Sequence, residues 1–151
     1  MFYPLNNSMP VFKFPPNRQL RITGWVTRER LAKPDCFDSN SKRCLIVMKD
    51  GNTTDLTVGR YAGLEAYLCD ELGKESTELA IYNYNKQSGD FAAKGDSGSL
   101  IFDGKGNMVG ILHSATPKGA SNHVTYATPA YWVVEKIKAK YPYANFFRTK
   151  W

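Results

Sequence analysis

The chain has 151 residues, of which 42% are hydrophobic and 23% are charged, and its formal net charge is +6. This length fits one domain with a real hydrophobic core, and no apolar run approaches the length that spans a membrane. The positive charge is modest and spread along the chain, so a solvated basic surface is expected and nucleic-acid binding is not.

The first 44 residues differ in character from the rest. Residues 1–19 hold four prolines among aromatic residues, a composition that favours an extended arm over a helix or a central strand. Leu20–Val26 alternates polar and apolar residues and predicts a strand, with Gly24 at a bulge or close approach. Residues 28–43 are charged and include Pro34, so we expect an exposed linker loop there.

The middle of the chain is rich in strand signals separated by Gly-containing turns. Six short segments enriched in β-branched and aromatic residues are predicted as strands: Cys44–Met48, Thr53–Tyr61, Glu78–Tyr84, Ser99–Phe102, Met108–His113 and Val124–Ala127. Short strands at regular spacing indicate an antiparallel barrel or sandwich. Residues 62–76 could form one helical turn or an irregular strand, and we assign them to a loop.

A helix is predicted over residues 129–141. Thr128 is the expected cap, and Pro129 suits the first helical position because its missing N–H would be unpaired there. Apolar residues then recur at three- and four-residue spacing as far as Tyr141, and Pro142 ends the pattern. Residues 143–151 form an aromatic and basic tail.

The segment Gly95–Ser99, Gly-Asp-Ser-Gly-Ser, carries the strongest chemical signal. Two glycines around one serine let the backbone N–H groups of Gly95 and Ser97 turn toward a common point, where they could hold a negatively charged oxygen. Ser97 would then be the attacking hydroxyl. The same five residues also fit an ordinary hairpin turn, because Gly, Asp and Ser dominate turns for local reasons.

Three further segments accompany this loop in a fixed order. Residues 49–59 are similar to the Lys-x-Gly-x-Thr-Thr-Gly-x-Thr-x-Gly stretch of bacterial and fungal trypsin-like enzymes, with Asp55 in place of a glycine. Residues 107–114 resemble the strand that lines the substrate pocket in that family, and residues 124–129 resemble its last strand.

Together the four motifs resemble the C-terminal barrel of chymotrypsin-type serine peptidases, with a pattern nearest to bacterial or fungal trypsin-like and Glu-specific endopeptidases. The resemblance implies an all-β fold, an antiparallel six-stranded Greek-key barrel over residues 45–142 that includes the C-terminal helix. Residues 20–44 would be a strand plus linker preceded by the arm of residues 1–19. That leaves too few residues for the first barrel of the family.

The resemblance also assigns a site. Ser97 would be the nucleophile, and the backbone at Gly95, Asp96 and Ser97 would form the oxyanion hole. The substrate pocket would be lined by His113, Lys94, Thr116, Phe91, Leu112 and Ser114. A histidine after Gly-Ile-Leu is similar to family members that cut after Glu or Gln, where its ring donates to the substrate side chain. The alternative is that His113 is an ordinary half-buried strand histidine.

The general base of the family is missing from this sequence. The only two histidines, His113 and His123, both follow Ser97, whereas the family's base and its orienting aspartate come from upstream of the serine. Neither histidine is expected to approach the hydroxyl from the required side, and Lys94 would need strong burial to serve as a base. Asp96 should shape the loop by binding backbone donors or a local cation.

These observations support two functions. The chain is either a serine endopeptidase domain that acts on peptides or proteins once another segment or chain supplies a histidine and an aspartate, or an inactive peptidase-like module that binds peptides or a protein partner. No cofactor, metal or membrane association is expected. Cys36, Cys44 and Cys69 cannot all pair, and no apolar signal segment is present, which favours an intracellular, cytoplasmic setting.

Overall fold

A computed structural model describes residues 19–38, 40–69, 71–117 and 122–146. Its elements in chain order are β1 (Gly24–Trp25), α1 (Arg28–Ala32), β2 (Cys36–Phe37), β3 (Arg43–Gly51), β4 (Asp55–Cys69), β5 (Glu75–Asn83), β6 (Leu100–Asp103), β7 (Asn107–Ala115), β8 (Val124–Pro129) and α2 (Ala130–Lys140). The predicted arm lies outside the described residues except for Gln19, and the predicted tail is described only as far as Phe146.

Six of the strands close into an antiparallel barrel, as the sequence predicts. Around the barrel the order is β3–β4–β5–β8–β7–β6, and β6 pairs again with β3. Strands β3, β4 and β5 are consecutive, and β6 returns beside β3, which is the Greek-key arrangement. Closure leaves no free edge within the barrel, while β1 and β2 add to β7 and β3 from outside.

The core follows from the two-residue period of the strands. Side chains on one face of β3, β5, β7 and β8 point inward and are fully buried. The cluster contains Val26, Leu31, Leu45, Val47, Tyr61, Leu79, Ile81, Phe91, Ala92, Ile101, Val109, Leu112 and Ala127. Val26 and Leu31 show that the segment before the barrel contributes to the same core.

The prediction of a loop over residues 62–76 was wrong. Strand β4 continues to Cys69 and β5 starts at Glu75, so the two form a long hairpin beyond the barrel. A bulge lies between Tyr61 and Glu65, with Gly63 at φ +83°. Most side chains of β4 beyond the bulge are exposed on both faces, so the segment lacks the polar–apolar alternation by which a strand is recognised.

The segment predicted as an exposed loop over residues 28–43 is mostly exposed, but it holds two short elements that the sequence did not predict. It contains α1, whose first turn is capped by the Thr27 hydroxyl, and the two-residue strand β2. Helix α1 is only five residues long and buries only Leu31. One buried side chain cannot show the three- and four-residue spacing by which a helix is recognised. The strand predicted over Leu20–Val26 is reduced to Gly24–Trp25, which pairs parallel with β7.

Helix α2 agrees with the sequence but is one residue shorter than predicted at each end, because it spans Ala130–Lys140 and Tyr141 is its C-terminal cap. The cap residue is Pro129, with no side-chain hydrogen bond, and Thr128 belongs to β8. The helix therefore begins one residue later than predicted, at Ala130. Lys138 and Lys140 lie in its last turn, where positive charge offsets the helix dipole.

Candidate active site

The Gly95–Ser99 loop lies at one end of the barrel, between β5 and β6. Gly95 and Gly98 adopt φ angles of +105° and +88°, which favour glycine. The loop is fixed to β7 because the Gly98 N–H donates to the Leu112 carbonyl over 2.8 Å and the Leu112 N–H donates to the Ser99 carbonyl over 3.0 Å. Its backbone conformation is therefore determined by the barrel.

Asp96 anchors the loop from inside. Its carboxylate is fully buried and accepts hydrogen bonds from the backbone N–H groups of Thr53 (2.7 Å), Thr54 (3.2 Å) and Ala93 (2.9 Å) and from the Thr54 hydroxyl (2.6 Å). Burial alone raises the pKa of this carboxyl. The hydrogen bonds from Thr54, Ala93 and Thr53 outweigh burial and hold the pKa of Asp96 well below its usual range.

Lys49 is the cation that pairs with the Asp96 carboxylate, a partner that the sequence analysis did not identify. Its ammonium is fully buried, lies 3.4 Å from the Asp96 carboxylate and donates to the Thr54 hydroxyl over 2.5 Å and to the Asp55 carbonyl over 3.2 Å. Burial lowers the pKa of Lys49, and the neighbouring Asp96 carboxylate opposes this shift. The expectation that Asp96 binds backbone donors and a cation is thus confirmed.

The β3–β4 turn is shaped to receive this loop. The Thr53 hydroxyl donates to the Lys94 carbonyl over 2.9 Å, and the Thr57 hydroxyl donates to the Phe91 carbonyl over 2.7 Å. A Cβ atom on Gly59 would lie 2.7 Å from the Phe91 ring. The threonines and glycines of residues 49–59 therefore serve to dock the segment that carries Ser97.

Ser97 itself is exposed, and its hydroxyl donates to the His113 carbonyl over 3.2 Å. The Asp96 N–H donates to the Ala93 carbonyl over 3.1 Å and is not available to an oxyanion. Within the described residues the N–H groups of Gly95 and Ser97 donate to no acceptor. Of the three N–H groups expected to form an oxyanion hole, those of Gly95 and Ser97 are therefore available to a ligand and that of Asp96 is not.

No described base contacts the Ser97 hydroxyl. The His113 ring is exposed and its Nδ1 lies 3.1 Å from the Ser114 hydroxyl, whereas the His123 ring is buried. Lys94 is exposed and lacks the burial that a lysine base needs. None of the three side chains contacts the Ser97 hydroxyl in the described part of the chain, and the source of a general base stays a prediction.

The residues predicted to line a pocket fall into two groups. The side chains of Phe91 and Leu112 belong to the hydrophobic core. Lys94 and His113 are exposed, while Ser114 and Thr116 are half-buried. Their joint role in substrate binding stays a prediction.

Two solved structures are similar to this arrangement of strands. A chymotrypsin from Cellulomonas bogoriensis matches with a TM-score of 0.51 and 16% identity, covering 82% of this chain and 54% of that chain. A glutamic acid specific serine protease described as using a novel histidine triad in substrate binding matches with a TM-score of 0.53 and 15% identity, covering 92% of this chain and 62% of that chain. The chain has a chymotrypsin-type fold.

The chain spans little more than half of the length of these chymotrypsin-type proteins. No family model and no curated protein matches its sequence. Among the described residues, no three or more His, Cys, Asp and Glu side chains are grouped as a metal site. No helix in the described part of the chain is both long and apolar enough to cross a membrane.

Sequence reasoning named the loop but missed the importance of Lys49. One signal was available, because Lys49 continues the alternate positions of the apolar residues Leu45 and Val47 in β3, and the structure buries all three. A charged residue at an inward position needs a buried partner of opposite charge. Asp96 is that partner.

Proposed function

We propose that this chain is the nucleophile-bearing half of a serine endopeptidase, which becomes active when another segment or chain supplies a histidine and an aspartate. The observation that supports this most strongly is the geometry of the loop. The loop exposes the Ser97 hydroxyl, and the backbone N–H groups of Gly95 and Ser97 donate to no described acceptor. The buried ion pair of Asp96 and Lys49 holds the loop in this conformation. An ordinary turn has no need of such a buried anchor.

In the proposed reaction, the Ser97 oxygen forms a bond to the carbonyl carbon of a peptide while its proton passes to the supplied histidine. The carbonyl oxygen becomes negatively charged and accepts hydrogen bonds from the N–H groups of Gly95 and Ser97. The histidine then returns the proton to the leaving amine as the peptide bond breaks. Water later hydrolyses the acyl-enzyme and restores the hydroxyl.

For specificity, we propose a preference for Glu or Gln before the cleaved bond. The backbone of β7 contacts the loop at two consecutive residues. The Gly98 N–H donates to the Leu112 carbonyl, and the Ser97 hydroxyl donates to the His113 carbonyl. The exposed ring of His113 can therefore reach a substrate bound at Ser97. Lys94, also exposed, adds positive charge next to the loop. The similar glutamic acid specific protease that binds substrate through histidines supports this assignment by analogy.

A fluorophosphonate probe tests the proposal because it reacts only with an activated serine. Free imidazole can replace a missing histidine base, so the rate of labelling should rise with imidazole concentration or with addition of the completing segment. Ser97→Ala should abolish labelling, while Ser99→Ala, a change in the same loop, should retain it. Absence of Ser97 labelling under both conditions would refute the peptidase proposal.

The second candidate function is a module that binds peptides without cleaving them. The observation in its favour is that no described side chain is placed to remove the Ser97 proton. A module of this kind would bind peptides ending in Glu or Gln and lose affinity on His113→Ala, yet never react with the probe. Labelling and binding together therefore distinguish the two functions.

A further inference from the structure

Cys36 and Cys44 lie opposite each other on neighbouring strands, and the proposed reaction uses neither of them. They are paired in the register between β2 and β3, which are antiparallel. The Cα atoms of directly opposed residues in such a pair lie about 4.5–5.5 Å apart, and their side chains leave the sheet on the same face. A disulfide joins Cα atoms that are about 4.4–6.8 Å apart. The backbone therefore holds the two thiols at a spacing that a disulfide can bridge.

The turn between the two strands holds this register. The Asp38 N–H donates to the Lys42 carbonyl (2.8 Å), and the Asp38 carboxylate accepts hydrogen bonds from the N–H groups of Asn40 (2.8 Å) and Lys42 (2.9 Å). The same carboxylate pairs with Arg60 of β4 at 2.8 Å. Because these contacts fix the turn to the barrel, we expect rotation of the two cysteine side chains to be sufficient for a disulfide to form.

The two thiols differ in their access to solvent. Cys44 is fully buried, whereas Cys36 is half-buried and its thiol donates to the Asp35 carboxylate over 3.6 Å. Burial raises the pKa of Cys44 to about 11. Burial and the Asp35 carboxylate also raise the pKa of Cys36, so both thiols are protonated at neutral pH and exchange slowly. An oxidant that arrives from solvent therefore meets Cys36 first.

We propose that Cys36 and Cys44 form a reversible disulfide that fastens the segment before the barrel to β3. The oxidant is a small disulfide such as oxidised glutathione. The Cys36 thiolate attacks one sulfur of the oxidant, which gives a mixed disulfide and releases one glutathione thiolate. The Cys44 thiolate then attacks the Cys36 sulfur and releases the second. The chain loses two electrons and two protons, and the oxidant is reduced to two molecules of glutathione.

The disulfide reinforces a short element. Strand β2 is only two residues long, and its described pairing is with β3. It follows α1, whose Leu31 belongs to the hydrophobic core. A covalent link that closes residues 36–44 into a loop restricts the unfolded chain. Oxidation is therefore expected to raise the melting temperature by about 5 °C.

Peptide mapping of the oxidised chain tests the pairing. The full chain is incubated with oxidised glutathione, remaining thiols are blocked with N-ethylmaleimide, and the chain is digested without reduction. We expect a fragment that links Cys36 to Cys44, and excess reduced glutathione should restore both thiols. The variant Cys69→Ser removes the exposed third thiol. It should give the same link and an intact mass lower by about 2 Da, because two hydrogen atoms are lost.

Single variants in the Cys69→Ser chain test the order of the two steps. In Cys44→Ser, Cys36 should retain glutathione as a stable mixed disulfide, because no second thiol displaces it. In Cys36→Ser, the buried Cys44 should stay reduced under the same conditions. Equal uptake of glutathione by the two variants would refute the proposed order of attack.

The disulfide itself is refuted if the oxidised wild-type chain leaves Cys36 and Cys44 unlinked or joins either of them to Cys69. Its role as a fastening is refuted if the linked chain melts at the same temperature as the reduced chain or below it. Both measurements keep the two cysteines in place, so they do not depend on whether the single variants fold. They are also independent of the function proposed for Ser97.

Discussion

Replacement of Lys49 by methionine should destabilise the chain by about 3 kcal/mol. The ammonium lies 3.4 Å from the Asp96 carboxylate, and both groups are fully buried. Two unit charges at that distance attract by about 5 kcal/mol at an effective dielectric constant of about 20. Removing one member of a buried pair typically costs about 3–5 kcal/mol. Asp96 keeps its hydrogen bonds from Thr53, Thr54 and Ala93, which places the expected loss at the low end.

Urea unfolding of Lys49→Met, Asp96→Asn and the double variant measures this loss. The double variant should be less destabilised than the sum of the single changes by about 1–3 kcal/mol, because the second change removes the charge that the first leaves unpaired. A loss below about 1 kcal/mol for Lys49→Met, or additive effects, would refute the reasoning.

The pH dependence offers a second readout of the same pair. The pKa of Asp96 in the folded chain lies below its unfolded value of about 3.9. The contribution of Asp96 to the free energy of unfolding is therefore fully present above about pH 3.9 and is lost as the pH falls through the folded pKa. Asp96→Asn should remove this component.

Three further outcomes follow from the structure. Gly95→Ala should lower the free energy of unfolding by about 2 kcal/mol in a urea titration, because φ is +105° and the new Cβ would overlap the Thr53 hydroxyl; a change under about 0.5 kcal/mol would contradict this. Asp55 has φ +48°, so Asp55→Ala should cost about 1 kcal/mol and the glycine variant should not; equal stability of the two would argue against strain. Burial raises the pKa of Cys44 to about 11, so mass spectrometry at pH 8 should find it alkylated at least about a hundredfold more slowly than the exposed Cys69; similar rates would be inconsistent with its burial.

The barrel could be predicted from the sequence because each of its strands buries one face. Segments such as Met108–His113 carry the apolar and β-branched residues, bounded by turn residues, that indicate a strand, and the motif order indicated their arrangement. The projecting hairpin at residues 62–76 could not be predicted, since a two-stranded ribbon exposed on both faces has no apolar period. Helix α1 was missed for a related reason, because a five-residue helix with Leu31 as its one buried side chain shows no repeat.

The site was predictable in its chemistry and only partly in its contacts. The motif comparison singled out Asp55 as a departure from glycine, and its left-handed backbone explains why glycine is usual there. Asp is among the residues that tolerate this conformation. The pairing of Lys49 with Asp96 joins residues 47 positions apart, and no local pattern reports which inward-facing positions meet. The burial of His123 depends in the same way on the packing of β8 against the segment around Asp90.

The source of the countercharge at Asp96 decides what a completing segment must provide. If the cation that pairs with Asp96 came from another segment, that segment would have to order the backbone N–H donors as well as supply a base. Here the described partners of the Asp96 carboxylate all belong to this chain: the ammonium of Lys49, the hydroxyl and backbone of Thr54, and the backbone of Thr53 and Ala93. Under the proposed function, the donors at Gly95 and Ser97 are therefore formed in advance, and a completing segment has to supply a proton acceptor. Under the proposed function, a small diffusible base should be sufficient to reveal reactivity, and Lys49→Met should reduce that reactivity even at saturating imidazole.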